Sequence, residues 1–175
     1  MKVILHICCG ICAAGAGKQL IEEGHEVAGY FFNPNIQPAE EYTARLEAAQ
    51  KVASELGFPI KSGFYSPDLW LRETSALASE KEGGRRCELC YRIRLKATLD
   101  YMRETGVDAF TTTLTIGPRK SAEIINKIGR EIGGESFIER DFKKKDGFKK
   151  ANELARRLDI YRQNYCGCIY SKHSL

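Results

Sequence analysis

The stretch "KVILHICCGICAAG" at residues 2–15 decides the fold, because it joins a buried strand directly to a helix of small residues. The apolar run 2–7 has the length and composition of a strand that is buried on both faces. Residues 13–23 follow as a helix that is expected to end at Gly24. Many α/β proteins bind an anion at such a junction, but here it carries Cys8, Cys9 and Cys12.

Strand and helix patterns alternate along the rest of the chain. Further strands are predicted at 26–33, 59–65 and 107–114, and a last one at 135–142 ("ESFIERDF"). Helical patterns lie between the strands and after the last one, where Asp146 is expected to cap a helix with Phe148 on its inward face.

The alternation predicts a Rossmann-like α/β fold, in which helices cover both faces of a parallel sheet. We expect one domain over 1–175, with a cysteine-bearing tail at 159–175 that folds back on the functional site. Such folds place their sites at the carboxyl ends of the strands. The cysteine junction lies at one of these ends, as do the loops at 32–35 and 115–120.

Composition points to a soluble protein of the cytoplasm. Apolar residues make up 43% of the chain and charged residues 29%. No apolar run approaches the ~20 residues of a membrane span, and the start lacks the pattern of a signal peptide. In a reducing compartment, clustered cysteines indicate metal binding or redox catalysis. The seven cysteines form three groups, namely Cys8, Cys9 and Cys12; Cys87 and Cys90; and Cys166 and Cys168.

Two of these groups together offer four thiolates. Cys8 and Cys9 would combine with the C-x-x-C pair Cys87 and Cys90, and four sulfur ligands suit either a structural zinc ion or an iron–sulfur cluster. The spacing does not separate the two, although adjacent cysteines are unusual in zinc sites and slightly favour a cluster.

The third group, Cys166-Gly167-Cys168, favours a dithiol/disulfide pair. Gly167 supplies the freedom to bend that so small a ring needs, and strained disulfides are easily reduced, as catalytic ones are. The alternative interpretation is a pair of ligands for a second metal ion, iron or zinc, with Cys12 as a further candidate ligand.

Two basic segments lie beside cysteine groups. The net charge of the chain is +4, whereas residues 143–157 hold seven Lys or Arg against two acidic residues, and residues 85–96 hold five against one. Such runs are often only solvated helix faces, but their position here also indicates an anionic partner.

With these residues in place, the chain resembles the epoxyqueuosine reductases of the QueH family. The resemblance covers nearly the whole chain and is carried by "HICCGIC" (6–12), "GYFFNPNIQPAEEYTAR" (29–45), "RRCELCYRIRL" (85–95), "TTTLTIGPRKS" (111–121) and "ERDFKKKDGFKKANELARRLDIYRQNYCGCIYS" (139–171).

The resemblance implies a fold similar to the adenine-nucleotide alpha-hydrolase-like superfamily and reduction of epoxyqueuosine to queuosine at the wobble position of tRNA anticodons. It implies a [4Fe-4S] cluster on Cys8, Cys9, Cys87 and Cys90, a redox-active pair Cys166 and Cys168, and an external electron donor. Candidate contacts for tRNA phosphates are Arg119, Lys120, Lys143, Lys144, Lys145 and Lys149. Tyr161, Tyr165 and Tyr170 would stack on loop bases, and Asp141 and Asp146 are candidate proton donors.

Two other functions stay open from the sequence. A tRNA-thiolation enzyme of the same superfamily would use ATP, but the junction lacks the Ser-Gly-Gly and Asp pattern of the ATP pyrophosphatases. A zinc module that binds RNA without catalysis would use the same cysteines.

Overall fold

The central sheet of the computed structural model, which describes residues 1–172, is entirely parallel. Within those residues, its strands are β1 (Lys2–His6), β2 (Glu26–Phe31), β3 (Ile60–Ser62) and β4 (Ala109–Thr112), in the spatial order β3-β2-β1-β4. β1 lies inside the sheet, where His6 is in register with Tyr30 on one side and with Thr112 on the other. The carboxyl ends of β1, β2 and β4 therefore meet at one edge, as predicted.

Helices cover both faces of this sheet. They are α1 (Gly10–Glu22), α2 (Ala39–Leu56), α3 (Pro67–Thr74), α4 (Arg85–Glu104), α5 (Ala122–Gly133), α6 (Gly147–Arg157) and α7 (Ile169–Lys172). Side chains of α1, α2 and α6 pack with Leu5 on one face. Side chains of α4 and α5 pack with Ile4 on the other face. Adjacent residues of a strand face opposite ways, so β1 contributes to both cores.

The small residues of α1 allow close helix packing on two sides. Ala13, Ala14 and Ala16 are fully buried. A Cβ atom at Gly15 would lie 2.7 Å from Cβ of Ala151 on α6 and 2.3 Å from Cδ1 of Ile116. This helix is therefore tightly enclosed, which holds its first turn firmly at the edge of the sheet.

The prediction of a last strand at 135–142 is wrong for most of its length. Phe137 makes one isolated parallel bridge with Phe110. Beyond it, the amide side chain of Asn126 on α5 accepts from the Arg140 N–H at 3.3 Å and donates to the Arg140 carbonyl at 3.1 Å. Because a side chain satisfies this backbone, the segment does not continue along the sheet.

Two expectations about the last long helix are also corrected. Asp146 occupies the N-cap position of α6 with a φ of 60°, but its side chain makes no capping bond. Phe148 does not face inward, since 38% of its surface is exposed.

Across residues 1–172, no helix combines the length and apolar character needed to span a membrane.

Candidate metal centre and active site

Three thiols meet where β1 leads into α1. The Sγ atoms of Cys8, Cys9 and Cys12 all lie within 4.8 Å of one another. Cys9 is the N-cap of α1, and its sulfur accepts from the Cys12 N–H at 3.4 Å. Cys8 is fixed by the residue that follows β4, because Thr113 Oγ1 accepts from the Cys8 N–H at 3.1 Å and donates to Cys8 Sγ at 3.2 Å.

The surroundings of these thiols favour one thiolate among them. Side-chain hydrogen bonds with Cys12 and, to a smaller extent, with Cys9 hold the pKa of Cys8 well below its usual value. The side-chain hydrogen bonds of Cys12 with Cys8 and, to a smaller extent, with Cys9 raise the pKa of Cys12 above its usual value. The lowered pKa favours the ionised form of the Cys8 sulfur, which is the form that binds a metal ion.

The C-x-x-C pair lies in the first turns of α4, on the other face of the sheet. Cys87 Sγ accepts from the Gly83 N–H at 3.2 Å. Cys90 packs against Trp70 and Cys168, and burial raises its pKa to about 11. Within the described residues, neither Cys87 nor Cys90 joins the Cys8, Cys9 and Cys12 thiols at single-ion distance.

Two neighbouring cavities connect the cysteine groups. The larger, about 240 Å³, is lined in part by Cys8 and Cys12. The smaller, about 10 Å³, is lined in part by Cys87, Cys90 and Cys168. Cys166 lines both cavities, and so do Asn35 and Arg94. The three cysteine groups therefore surround one region at the carboxyl edge of the sheet.

Buried and half-buried cations lie among these sulfurs. Arg94 is 2% exposed; it donates to Asn33 Oδ1 at 2.6 Å and lies 4.0 Å from Cys90 Sγ. The Cys166 sulfur raises the pKa of Lys120. Positive charge of this kind stabilises thiolates and an anionic metal–sulfur centre.

The donor set fits the iron–sulfur centre predicted from the sequence. A tetranuclear cluster separates its ligand sulfurs by its own bulk, so Cys87 and Cys90 need not lie within single-ion distance of Cys8 and Cys9. Thiols, the preferred ligands of such clusters, lie on both sides of the region, and cations lie between them. Asn35 contributes an Oδ1 atom without a hydrogen-bond partner.

The C-terminal cysteines lie on a turn beside α2. Both are free thiols; Cys168 is buried and Cys166 is partly exposed. Gly167 between them has a φ of 122°, a conformation that residues with a side chain rarely adopt. Residues 173–175 of the predicted tail lie outside the described residues.

The predicted basic residues are in three different settings. Arg119 and Lys120 line the larger cavity. The ammonium group of Lys143 donates to the carbonyls of Thr115 at 2.8 Å and Lys120 at 3.0 Å, so this lysine braces the loop that carries Arg119 and Lys120. The other three predicted lysines are exposed at or near the start of α6: Lys144, Lys145 and Lys149.

The predicted aromatic and acidic residues mostly have partners inside the protein. Tyr165 lines the larger cavity while its hydroxyl donates to the Gln37 carbonyl. The hydroxyl of Tyr161 donates to Glu41 at 2.6 Å. The ring of Tyr170 lies 4.5 Å from the Arg86 guanidinium. Asp141 lies 3.5 Å from the Lys143 ammonium.

Several residues of the site were not predicted from the sequence. Arg162 and Phe148 line the larger cavity, together with Asn35 and Arg45. The "NPN" motif at 33–35 lies in the loop that the sequence places at the strand ends, although neither asparagine was named as a site residue. Nothing in the helical pattern marks Arg45 or Arg94 as buried.

Comparison with solved structures places this fold among α/β proteins that include enzymes acting on tRNA. A structure from Methanocaldococcus jannaschii, described as the predicted subunit of a tRNA methyltransferase, superposes with a TM-score of 0.61 at 14% identity, over 89% of this chain and 74% of that one. The U34-tRNA thiolase NcsA from Methanococcus maripaludis, solved with its [4Fe-4S] cluster, gives a TM-score of 0.60 at 19% identity, over 98% of this chain and 61% of that one. These two likenesses show a shared α/β fold.

The sequence narrows this class to one family. The family model for the epoxyqueuosine reductase QueH matches residues 3–174, so the chain belongs to the QueH family, whose members are oxidoreductases. The QueH protein of Thermotoga maritima is 36% identical over 97% of this chain and 89% of that protein. Those of Streptococcus pyogenes and Dehalococcoides mccartyi are each 34% identical, over 97% and 98% of this chain and 70% and 93% of those proteins.

Proposed function

We propose that this protein reduces epoxyqueuosine to queuosine at the wobble position of tRNA anticodons, in the last step of queuosine synthesis. The observation that carries the proposal is membership of the QueH family over nearly the whole chain. The convergence of three cysteine groups around one region supports it. An enzyme acting on tRNA is expected to work in the cytoplasm, where we place this protein.

The proposed reaction removes one oxygen atom from an epoxide and leaves an alkene. This takes two electrons and two protons and releases water. Cys166 and Cys168 would supply both electrons and both protons by closing to a disulfide, so the reaction balances. An external donor must then reduce that disulfide before the next turnover.

We propose Cys8, Cys9, Cys87 and Cys90 as ligands of a [4Fe-4S] cluster, and Cys12 as a candidate ligand of a second metal ion, iron or zinc. When bound, such a centre supplies single electrons and a Lewis acid for the epoxide oxygen. The buried charge of Arg94 would balance the negative charge of the thiolates around it.

The larger cavity is the proposed substrate site. Its volume of about 240 Å³ suits a modified base that has left its stack, rather than a duplex. Lys120 would hold a proton close to Cys166 and to the epoxide oxygen. Arg119 would contact phosphate, while Phe148 and Tyr165 at the same cavity offer faces on which a base can stack.

We assign the tail predicted at 159–175 to the same domain, and its described part, up to residue 172, brings Cys166 to this cavity. Lys144, Lys145 and Lys149 would add electrostatic attraction for the anticodon arm.

An activity assay with matched metal loading tests the proposal. Protein reconstituted anaerobically with iron and sulfide, supplied with a chemical reductant, should convert epoxyqueuosine in tRNA to queuosine, as followed by mass spectrometry of the digested nucleosides. The same protein loaded with zinc should bind the tRNA without converting it. Conversion by the zinc form would contradict the role of iron, and ATP-dependent sulfur incorporation would indicate a thiolation enzyme instead.

A further inference from the structure

One buried arginine of α2 holds the backbone on the amino-terminal side of Gly167. Arg45 is 3% exposed. Its Nη1 donates to the Cys166 carbonyl at 2.9 Å, and its Nη2 donates to the Tyr165 carbonyl at 3.0 Å. The planar guanidinium thus binds two successive carbonyls with two parallel donors, which a lysine cannot reproduce.

An acidic neighbour orients this arginine. The third nitrogen of Arg45, Nε, donates to Glu41 Oε1 at 2.7 Å, one helical turn earlier on α2. The other carboxylate oxygen of Glu41 accepts from the Tyr161 hydroxyl at 2.6 Å. Glu41 therefore fixes both the guanidinium and the start of the segment that leads to Cys166.

Further contacts hold the turn itself against the start of α2. The Gln37 N–H donates to the Gly167 carbonyl at 2.9 Å, and the Tyr165 hydroxyl donates to the Gln37 carbonyl. A Cβ atom at Gly167 would lie 3.0 Å from Arg45 Nη1. Only glycine fits both this close approach and the φ of 122°. Together, Glu41, Arg45 and Gln37 form what we call the α2 clasp.

The clasp acts on Cys166, the one cysteine among the described residues that lines both cavities. Cys166 lies at both, whereas Cys168 is packed with Trp70 and Cys90. Since glycine lets the turn adopt many conformations, the side chain of Cys166 alone does not determine which way its thiol faces. The two carbonyl bonds from Arg45 remove that freedom.

We propose that Arg45 is a positioning residue that holds the Cys166 thiol toward the substrate cavity, with Glu41 orienting Arg45. The consequence for turnover rests on the proposed function, but the consequence for the thiols does not. A misplacement of about 1 Å at a reacting group lowers turnover by about 10²-fold.

The test measures both thiol reactivity and turnover in the reconstituted holoprotein. We expect R45Q to lower kcat by about 10²-fold while KM stays within about twofold. Alkylation by iodoacetamide, mapped by mass spectrometry, gives the second readout. In R45Q we expect Cys168 to react at a rate close to that of Cys166, although Cys168 is only 7% exposed in the native turn. R45K, which keeps the positive charge but not the two parallel donors, should restore neither kcat nor the alkylation pattern to the wild-type level.

Arg130 offers a matched control, because it also pairs with a glutamate, Glu139, but on the surface. R130Q should leave both readouts at wild-type values. A second variant, G167A, disturbs the clasp from the turn side and should give the same alkylation pattern as R45Q even where R45Q folds poorly.

Three results would overturn the proposal. They are a wild-type alkylation pattern in folded R45Q, a loss of kcat in R130Q as large as in R45Q, and a fall in melting temperature of R45Q without change in its kcat or alkylation. If wild-type protein does not reduce epoxyqueuosine, the proposed function fails, and the alkylation comparison still decides the role of Arg45.

Discussion

At the residue scale, the adjacent cysteines at the end of β1 have different tasks. Cys9 is fully buried and its sulfur caps α1, whereas Cys8 lines the larger cavity with a lowered pKa. The strand ends here, so the two side chains need not point to opposite faces of the sheet. Both sulfurs remain near the same point, which suits ligands of one centre.

Cys166 allows a direct test of the redox pair. Replacing Cys166 with serine should abolish turnover, because no disulfide can form, and should leave the visible spectrum of the reconstituted protein unchanged. C8S should instead weaken that spectrum, since it removes a proposed ligand. Anaerobic absorption spectra and nucleoside analysis measure both. Wild-type turnover by C166S would refute the redox role of this residue.

At this scale, the sequence could indicate only the chemistry that follows from residue type and spacing. The cysteine groups could be found because their spacing is rare, and the structure gathers them around one region. Arg45 could not be found, because its neighbours on α2 are only partly apolar and burial of a charge depends on partners from residues 165 and 166. Phe148 was assigned to the core because apolar periodicity does not show that a cavity opens beside it.

At the element scale, α1 is limited by the space between α2 and α6. G15A places a methyl group 2.7 Å from Cβ of Ala151. Overpacking of this kind costs about 1–3 kcal/mol, whereas exchanging glycine for alanine in a helix gains at most about 1 kcal/mol. We therefore expect a net loss of up to about 2 kcal/mol in the free energy of unfolding.

Chemical denaturation measures that loss, and Gly117 provides the control. Gly117 has a φ of −66° and no atom nearer than 3.8 Å to an added Cβ, so G117A should change stability by less than about 0.5 kcal/mol. Equal stabilities of G15A and the wild type would show that α6 can move away from α1 at little cost.

Lys143 and Lys149 are close in sequence, but we expect them to contribute to tRNA binding in different ways. K149A should lower tRNA affinity and reduce the slope of log affinity against log salt by about 0.7–0.9, as expected for one phosphate contact. K143A should weaken binding through the loop it braces, with the slope unchanged, because its ammonium is bonded to two carbonyls. Filter binding at several salt concentrations distinguishes the two effects. A smaller salt slope in K143A would show that Lys143 contacts a phosphate after all.

Most elements could be predicted because their end signals are local. Gly57 ends α2 with a φ of 75°, and Ser121 caps α5 by accepting from the Ile124 N–H at 3.3 Å. The strand at 135–142 failed for the opposite reason. Its backbone pairs with the side chain of Asn126, a partner that no local pattern reveals.

At the scale of the whole molecule, the sheet brings together residues that are far apart in sequence. Cys8 follows β1, Asn33 and Asn35 follow β2, and Thr113 follows β4, while α4 brings in Cys90. Parallel strands place all these ends at one edge. A C-terminal turn held by α2 adds Cys166 to them, so the site needs nearly the full length of the chain.

The nucleosides of tRNA from living cells test the central claim most directly. In bacteria that lack their own epoxyqueuosine reductase, expression of this chain should replace epoxyqueuosine with queuosine, and expression of C166S should not. Mass spectrometry of digested tRNA measures the ratio of the two nucleosides. Epoxyqueuosine that persists unchanged, with the wild-type protein present and loaded with iron, would contradict the account.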